Sequence, residues 1–166
     1  LRTPVFWLMF AMMTMMSTSG LMVISQMGAI AKDYQVASAL VFGMAALPLA
    51  LTIDRLTNGL TRPFFGWVSD RWGRENTMFI AFGLEAVAMF AWISTIDNPV
   101  LFVILSGVVF FGWGEIFSLF PSTLTDTFGP KHATTNYGFL YMAQGVGSII
   151  GGPVAAMVHH LSLIHI

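Results

Sequence analysis

The sequence predicts an all-α membrane protein, on three observations: charge is scarce, apolar runs reach membrane-spanning length, and short polar loops separate them. Of the 166 residues, 56% are hydrophobic and 9% are charged, against about 25% charged in soluble domains. Fifteen Phe, twelve Met and sixteen Gly suit helices packed in lipid, where small residues let backbones approach. A soluble core of this size cannot absorb so much apolar surface without large exposed patches, which drive association.

A helix needs about 20 residues to cross the hydrocarbon core, and the chain offers five such spans. Residues 5–31 form the first, which stops at Lys32-Asp33 and is too long for a signal peptide. Residues 39–68 form the second, with charges inside it. The third covers residues 77–96 and ends at the Asp97-Asn98-Pro99 turn. The fourth covers 100–120, with Pro121 as its stop. After a polar loop containing Thr134-Thr135-Asn136, residues 138–158 form the fifth.

The cations set an orientation. With the N-terminus cytoplasmic, the inner segments hold Arg2, Arg71, Arg74 and Lys131 and the outer loops hold Lys32, as the excess of Lys and Arg on the inside requires. The last residues, 161–166, are too short to span. They read either as a non-native remnant outside the fold or as a short outer loop. With no Met at position 1, both ends read as those of a fragment.

The second span carries the chemistry. Arg55, Gly59, Arg62 and Gly66 follow i, i+4, i+7, i+11 spacing, one stripe of a helix. Asp54, Asn58 and Arg62 make an adjoining polar strip. A guanidinium at that depth costs at least about 2.5–3.5 kcal/mol unless it meets a cavity or a partner. This face therefore lines a cavity, and an anion suits two Arg with one nearby Asp. Arg also grips a carboxylate bidentately, which Lys cannot. For Arg55 an internal ion pair with Asp54 or a neighbour is an equal alternative, and spacing alone does not choose between the readings for Arg62.

Between the second and third spans stands Gly66-Trp67-Val68-Ser69-Asp70-Arg71-Trp72-Gly73-Arg74-Glu75. Gly66 would let two helices touch at the inner mouth. Asp70, at a helix end, can pair with Arg71, Arg74 or a neighbouring helix, and Gly73 permits a tight turn. A charged latch that makes and breaks suits two bundles rocking about a central site. The run resembles the G-x-x-x-D-[RK]-x-G-[RK] signature of the major facilitator superfamily, which follows the second helix of each six-helix half. The fifth span adds Gly145, Gly147, Gly151, Gly152 and Pro153. Gly147-x-x-x-Gly151 has close-packing spacing, and in that superfamily such a glycine-rich helix is associated with the rocking interface.

Within the superfamily, LTIDRLTNGLTRPFFGWVSDRWGRENTMFIAF, FWLMFAMMTM and GVVFFGWGEIFSLFP resemble the oxalate–formate antiporter family over most of residues 5–145. The resemblance implies five helices of a six-helix half-bundle, the seventh to eleventh of twelve, in residues 1–160. The last helix and the N-terminal six-helix half would lie outside the chain, which alone should not transport. It implies a secondary carrier of small carboxylates in a cell membrane, a monomer when full length, with Arg62 at the position of a substrate-binding arginine. Two departures matter. Gln144 stands where that family has a second cation, a lysine, and Phe117 stands where a tyrosine is expected. A dianion between two cations would gain a few kcal/mol more than one facing a single cation. The departures therefore favour monocarboxylates such as formate, lactate or pyruvate over oxalate, by exchange or proton symport. Trp113 and Tyr141 are candidate walls for a planar carboxylate, or plain packing residues.

Glu85 and Glu115 lie inside the third and fourth spans. Buried carboxylates there are functional candidates by default, and with Asp54 they suit proton coupling; a neutral acid hydrogen-bonded to another helix is the alternative. Other classes fit less well. A net charge of −1 without a basic patch argues against nucleic acid. The absence of cysteine excludes disulfides, thiolate metal sites and iron–sulfur clusters. His132, His159, His160 and His165 fall in loops or the tail, which speaks against a haem or metal enzyme, so no cofactor and no metal is expected. A channel-like or structural membrane subunit remains the rival class. One charged helix and a latch favour a carrier.

Overall fold

The computed structural model describes residues 3–164; Arg2 and His165 lie outside them. The elements are α1 (Pro4–Asp33), β1 (Leu40–Val41), β2 (Met44–Ala45), α2 (Ala46–Trp72), α3 (Arg74–Ser94), α4 (Pro99–Trp113), α5 (Ile116–Phe128), a 3₁₀ turn (Pro130–His132), α6 (Ala133–Ile149), a π-helical segment (Ile150–Val154) and α7 (Ala155–Ile164). Four segments among the described residues are long and apolar enough to cross a membrane: Pro4–Asp33, Arg74–Ser94, Pro99–Phe128 and Pro130–Val158. The 27 residues of α2 suffice in length, but Asp54, Arg55 and Arg62 make it too polar to join them. The all-α membrane architecture is as the sequence predicts.

Several boundaries differ from expectation. The second helix starts at Ala46, not near residue 39, because a hairpin pairs Leu40 with Ala45 and Val41 with Met44. Its two-residue loop, Phe42-Gly43, has positive φ at both positions, 51° and 82°, the backbone that matches the twist of the flanking strands. The fourth span does not stop at Pro121. It breaks earlier, at Gly114-Glu115, and runs on through Pro121 to Phe128; a membrane helix tolerates proline where neighbours re-satisfy the freed carbonyl. Thr134, Thr135 and Asn136 are helical, in α6, rather than in a loop. Beyond residue 158 the helix continues through Ile164, so His159 and His160 fall within α7 instead of a loop.

The chain divides into two compact units. In the unit from Gly28 to Thr123, α4 packs against both α2 and α3 and is buried nearly all round at Phe102, Val103, Ser106, Gly107, Val109 and Phe110. Its start is fixed by sequence: Asn98 accepts from the amides of Val100 and Leu101 at 3.0 and 3.2 Å, and Pro99 occupies the first turn, where its missing N–H costs nothing. The Trp92 indole donates to the Phe102 carbonyl at 3.0 Å and ties the end of α3 to the start of α4. On the outer side of α3, Phe79, Val87, Phe90 and Ile93 are exposed, an apolar face suited to lipid.

The other unit joins α1 up to Met27 with the chain from Leu124 onward. Here the glycines of α6 and the π segment meet α1. A Cβ on Gly147 would sit 2.8 Å from Ser17 Cβ, and one on Gly151 would sit 2.8 Å from the Met22 amide nitrogen. Ser25 donates to the Gly151 carbonyl at 2.7 Å. A Cβ added at Gly145 or Gly152 would meet nothing within 4 Å among the described residues.

Candidate functional site

Helix α2 presents two faces. Ala46, Ala50, Asp54, Thr61, Phe65 and Ser69 are buried, while Arg55 and Arg62 are exposed. The Arg62 guanidinium lies over the Phe117 ring, 4.8 Å from its centroid, and Phe117 meets the buried Trp113 edge-on at 5.5 Å. The structure thus brings Arg62, Phe117 and Trp113 together. A cation–π contact of this kind is worth about 0.5–2 kcal/mol and holds the guanidinium by its face, leaving its in-plane N–H donors for another partner. Among the described residues, neither Arg62 nor Arg55 makes an ion pair. Arg55 lines a shallow groove with Pro48, Leu51, Thr52 and Leu56.

The expected polar strip divides. Asp54 is only 1% exposed and turns toward α4, away from Arg62, so the Asp54–Arg55 ion pair does not form. The Ser106 hydroxyl lies beside Asp54 but donates to the Val103 carbonyl at 3.0 Å, and neither Asp54 carboxylate oxygen accepts a hydrogen bond from the described residues. Asn58 sits between the two faces, where a Cβ on Gly114 would come within 2.9 Å of its carbonyl oxygen.

The break between α4 and α5 is the part that sequence reasoning missed. Gly112 and Gly114 bring α4 close to its neighbours: a Cβ on Gly112 would lie 3.0 Å from Glu85 Cβ and 3.2 Å from Glu85 Cα, and one on Gly114 would lie 3.1 Å from Thr61 Cβ. The Thr61 hydroxyl reaches the Phe111 carbonyl at 2.7 Å and that of Thr57 at 2.8 Å. It therefore serves an acceptor in the last turn of α4, where carbonyls lose their intrahelical partners. Gly112-Trp113-Gly114 was the available signal. Glu115, in the break, is fully buried, and Glu85 on α3 is 3% exposed. Glu85 is close enough for its charge to act on Glu115.

At the other end of α2, Asp70 and Arg74 form an ion pair at 2.8 Å, and Arg74 also donates to the Ser69 hydroxyl. Arg71 instead lies over the Trp67 ring, 3.9 Å from its centroid. The Asp70 side chain is 66% exposed, and exposed pairs are worth only about 0–1 kcal/mol, so this contact can open and close at little cost. Gly73 links α2 to α3 with φ 86° and ψ 153°, a backbone that favours glycine. Gly66 does not bring helices into contact among the described residues, since a Cβ there would meet nothing within 4 Å.

Tyr141 and Gln144 belong to α6, in the other unit. Tyr141 is exposed and its ring lies 5.6 Å from that of Tyr137. Gln144 is half-buried, and its side-chain oxygen accepts no hydrogen bond from the described residues.

Comparison with known proteins places these features in a family. Residues 4–163 match the model of the Major Facilitator Superfamily. The chain is 36% identical over 160 residues to the oxalate:formate antiporter of Oxalobacter formigenes, covering 95% of this chain and 37% of that protein. It is 30% identical over 150 residues to the uncharacterized MFS-type transporter YhjX of Escherichia coli, covering 90% of this chain and 36% of the relative. An uncharacterized 38 kDa protein in the 23S RNA operon of Thermoproteus tenax is 31% identical over 124 residues, 74% of this chain and 31% of its own length. The chain thus spans about a third of the length of the relatives it matches. With apolar helices of spanning length, a charged α2 and the Asp70–Arg74 turn, this chain belongs to the major facilitator superfamily of multi-pass membrane transporters.

Proposed function

We propose that this chain forms the seventh to eleventh helices of a secondary carrier for small organic anions, acting as a full-length monomer with an N-terminal six-helix half. One observation carries the reading: Arg62, on a helix flanked by apolar spans, stacks on Phe117 at 4.8 Å and is paired with no carboxylate among the described residues. A permanent cation held by its face, with its donor edge unspent, is a receptor for a carboxylate. The likeness to a protein named as an oxalate:formate antiporter supports the substrate class.

Gln144, an amide rather than a cation, favours a singly charged guest such as formate, lactate or pyruvate. Phe117 offers a ring but no hydroxyl, which points the same way. Trp113 backs Phe117, while Tyr141 and Arg55 are further candidates for contact with the anion. The Asp70–Arg74 turn, with Gly66, Arg71 and Gly73 around it, is the gate, and it faces the cytoplasm when the N-terminus of α1 does. Alternating access moves two bundles about a midplane site, and a weak, exposed ion pair suits a contact that must break in each cycle.

The test is uptake of labelled formate, lactate, pyruvate and oxalate into liposomes holding the full-length carrier. Monocarboxylate uptake is expected in the native protein, a fall of about tenfold or more in Arg62→Lys, as loss of a bidentate contact implies, and a gain of oxalate uptake in Gln144→Lys. Exchange of oxalate for formate by the native protein would favour the oxalate–formate exchanger instead. Unchanged uptake in Arg62→Lys, or no carboxylate uptake at all, would overturn the reading.

A further inference from the structure

The contact between α2 and α4 holds a carboxyl group that anion binding does not use. Asp54 is 1% exposed, and neither of its carboxyl oxygens accepts a hydrogen bond from the described residues. Its hydrogen-bonding neighbour is the Ser106 side chain of α4, itself fully buried. One residue on, the two helices close up: a Cβ on Gly107 would lie 2.7 Å from Ile53 Cγ2. The carboxyl group is cut off from bulk water.

The donors nearby are already engaged. The Ser106 hydroxyl has one proton and gives it to the Val103 carbonyl at 3.0 Å. Thr57, one turn along α2, gives its own to the Ile53 and Asp54 backbone carbonyls, at 3.0 and 3.1 Å. Charge is no nearer. The elements packed on α2 are α4, α3 and the two strands, and neither α4 nor the strands carry an ionisable side chain. On α3, Glu85 meets α4 at Gly112, about 9 Å along that helix from Ser106. Arg74 is paired with Asp70 at the far end of α2, and Glu75 beside it is exposed. On α2 itself, Arg55 and Arg62 are exposed and make no ion pair among the described residues, while Arg71 lies on the Trp67 ring. No group of three His, Cys, Asp or Glu forms among the described residues, so a divalent cation would find too few oxygen ligands. An ionised carboxylate here would lose its hydration and gain at most one neutral hydroxyl, which costs far more than burying the neutral acid. The acid also brings the donor that the contact lacks: its O–H can reach Ser106 Oγ while the Ser106 O–H stays on the Val103 carbonyl.

We propose that Asp54 is a proton-binding site, holding a proton at neutral pH and donating it to Ser106 Oγ. A hydrogen-bonded chain then runs from α2 through Ser106 to the Val103 carbonyl of α4. The bound proton seats the helix whose other face presents Arg62. The site stands on the packing of α2 against α4 and is independent of what the carrier moves.

Infrared difference spectroscopy of the full-length protein in lipid tests the site through the carbonyl stretch of a protonated carboxyl group. At neutral pH, the native spectrum minus that of Asp54→Asn should hold such a band, and the band should shift in heavy water. Ser106→Ala removes the acceptor of the acid's hydrogen bond, so the band should persist and move to higher frequency. Asp97→Asn, at an exposed carboxylate between α3 and α4, should leave this region of the spectrum unchanged. Absence of the band from the native-minus-Asn difference overturns the site. A band that Ser106→Ala leaves in place overturns the chain to α4. A band that emerges only when sodium is replaced by choline overturns the proton in favour of a bound sodium ion. If Asp54→Asn does not fold, heavy-isotope labelling of the aspartate carboxyl groups decides instead. An aspartate band that Ser106→Ala moves then supports the site, and its absence or immobility overturns it.

Discussion

Two adjacent glycines carry opposite burdens. A methyl group on Gly151 would stand 2.8 Å from the Met22 amide nitrogen and 2.9 Å from the Thr18 carbonyl oxygen, both backbone atoms, whereas one on Gly152 would meet nothing within 4 Å among the described residues. Backbone cannot step aside as a side chain can, so Gly151→Ala should cost about 1–3 kcal/mol through overpacking. Gly152→Ala should leave stability unchanged or slightly raised. Thermal unfolding of the two full-length variants in detergent checks this, and equal melting temperatures would contradict it. The i, i+4 spacing of Gly147 and Gly151 was legible as a packing signal. That spacing picked out the two glycines that meet α1 and passed over Gly145 and Gly152, where an added Cβ would meet nothing within 4 Å among the described residues. At Gly66 an added Cβ likewise meets no neighbour among the described residues. Arg62 was legible from its charge in an apolar setting, yet its ring partner Phe117 lies on another helix, and no local pattern pairs them.

At the scale of elements, the discontinuity of α4 and α5 is decided by tertiary contact. Local sequence put the stop at Pro121, the residue with no N–H. The helix instead breaks at Gly114-Glu115, where Gly114 lies against Asn58 and Thr61 and the Thr61 hydroxyl takes the Phe111 carbonyl. Thr61→Val keeps the shape and removes the donor. An unsatisfied buried acceptor costs about 1–3 kcal/mol, so the variant should melt earlier than the native carrier, with Thr61→Ser restoring most of the loss. If Val and Ser melt alike, the cap is not what holds the break. The hairpin before α2 was hidden for a different reason: an unbroken apolar run has no periodicity by which a strand can be told from a helix, and only the positive φ of Phe42 and Gly43 separates them.

For the whole molecule, the number of long helices and the superfamily were legible, because apolar length and the spacing of Gly66, Asp70, Gly73 and Arg74 survive without any tertiary information. The division of α2 into a buried face holding Asp54 and an exposed face holding Arg62 was not, since both lie on one polar strip until a neighbour chooses a side. That neighbour is α4, which packs on α2 and α3 alike, and the choice has a bearing on biogenesis. Helices α3 and α4 are joined by a short turn, capped by Asn98 and tied by the Trp92–Phe102 hydrogen bond, so they can leave the translocon as a finished hairpin. Helix α2 cannot leave early, because each central charge costs about 2.5–3.5 kcal/mol on insertion. Nascent chains ending after α2 should therefore leave it outside the bilayer, and chains extended through α4 should draw it in. Glycosylation mapping of staged truncations reads that order of assembly, and efficient integration of α2 by itself would refute it.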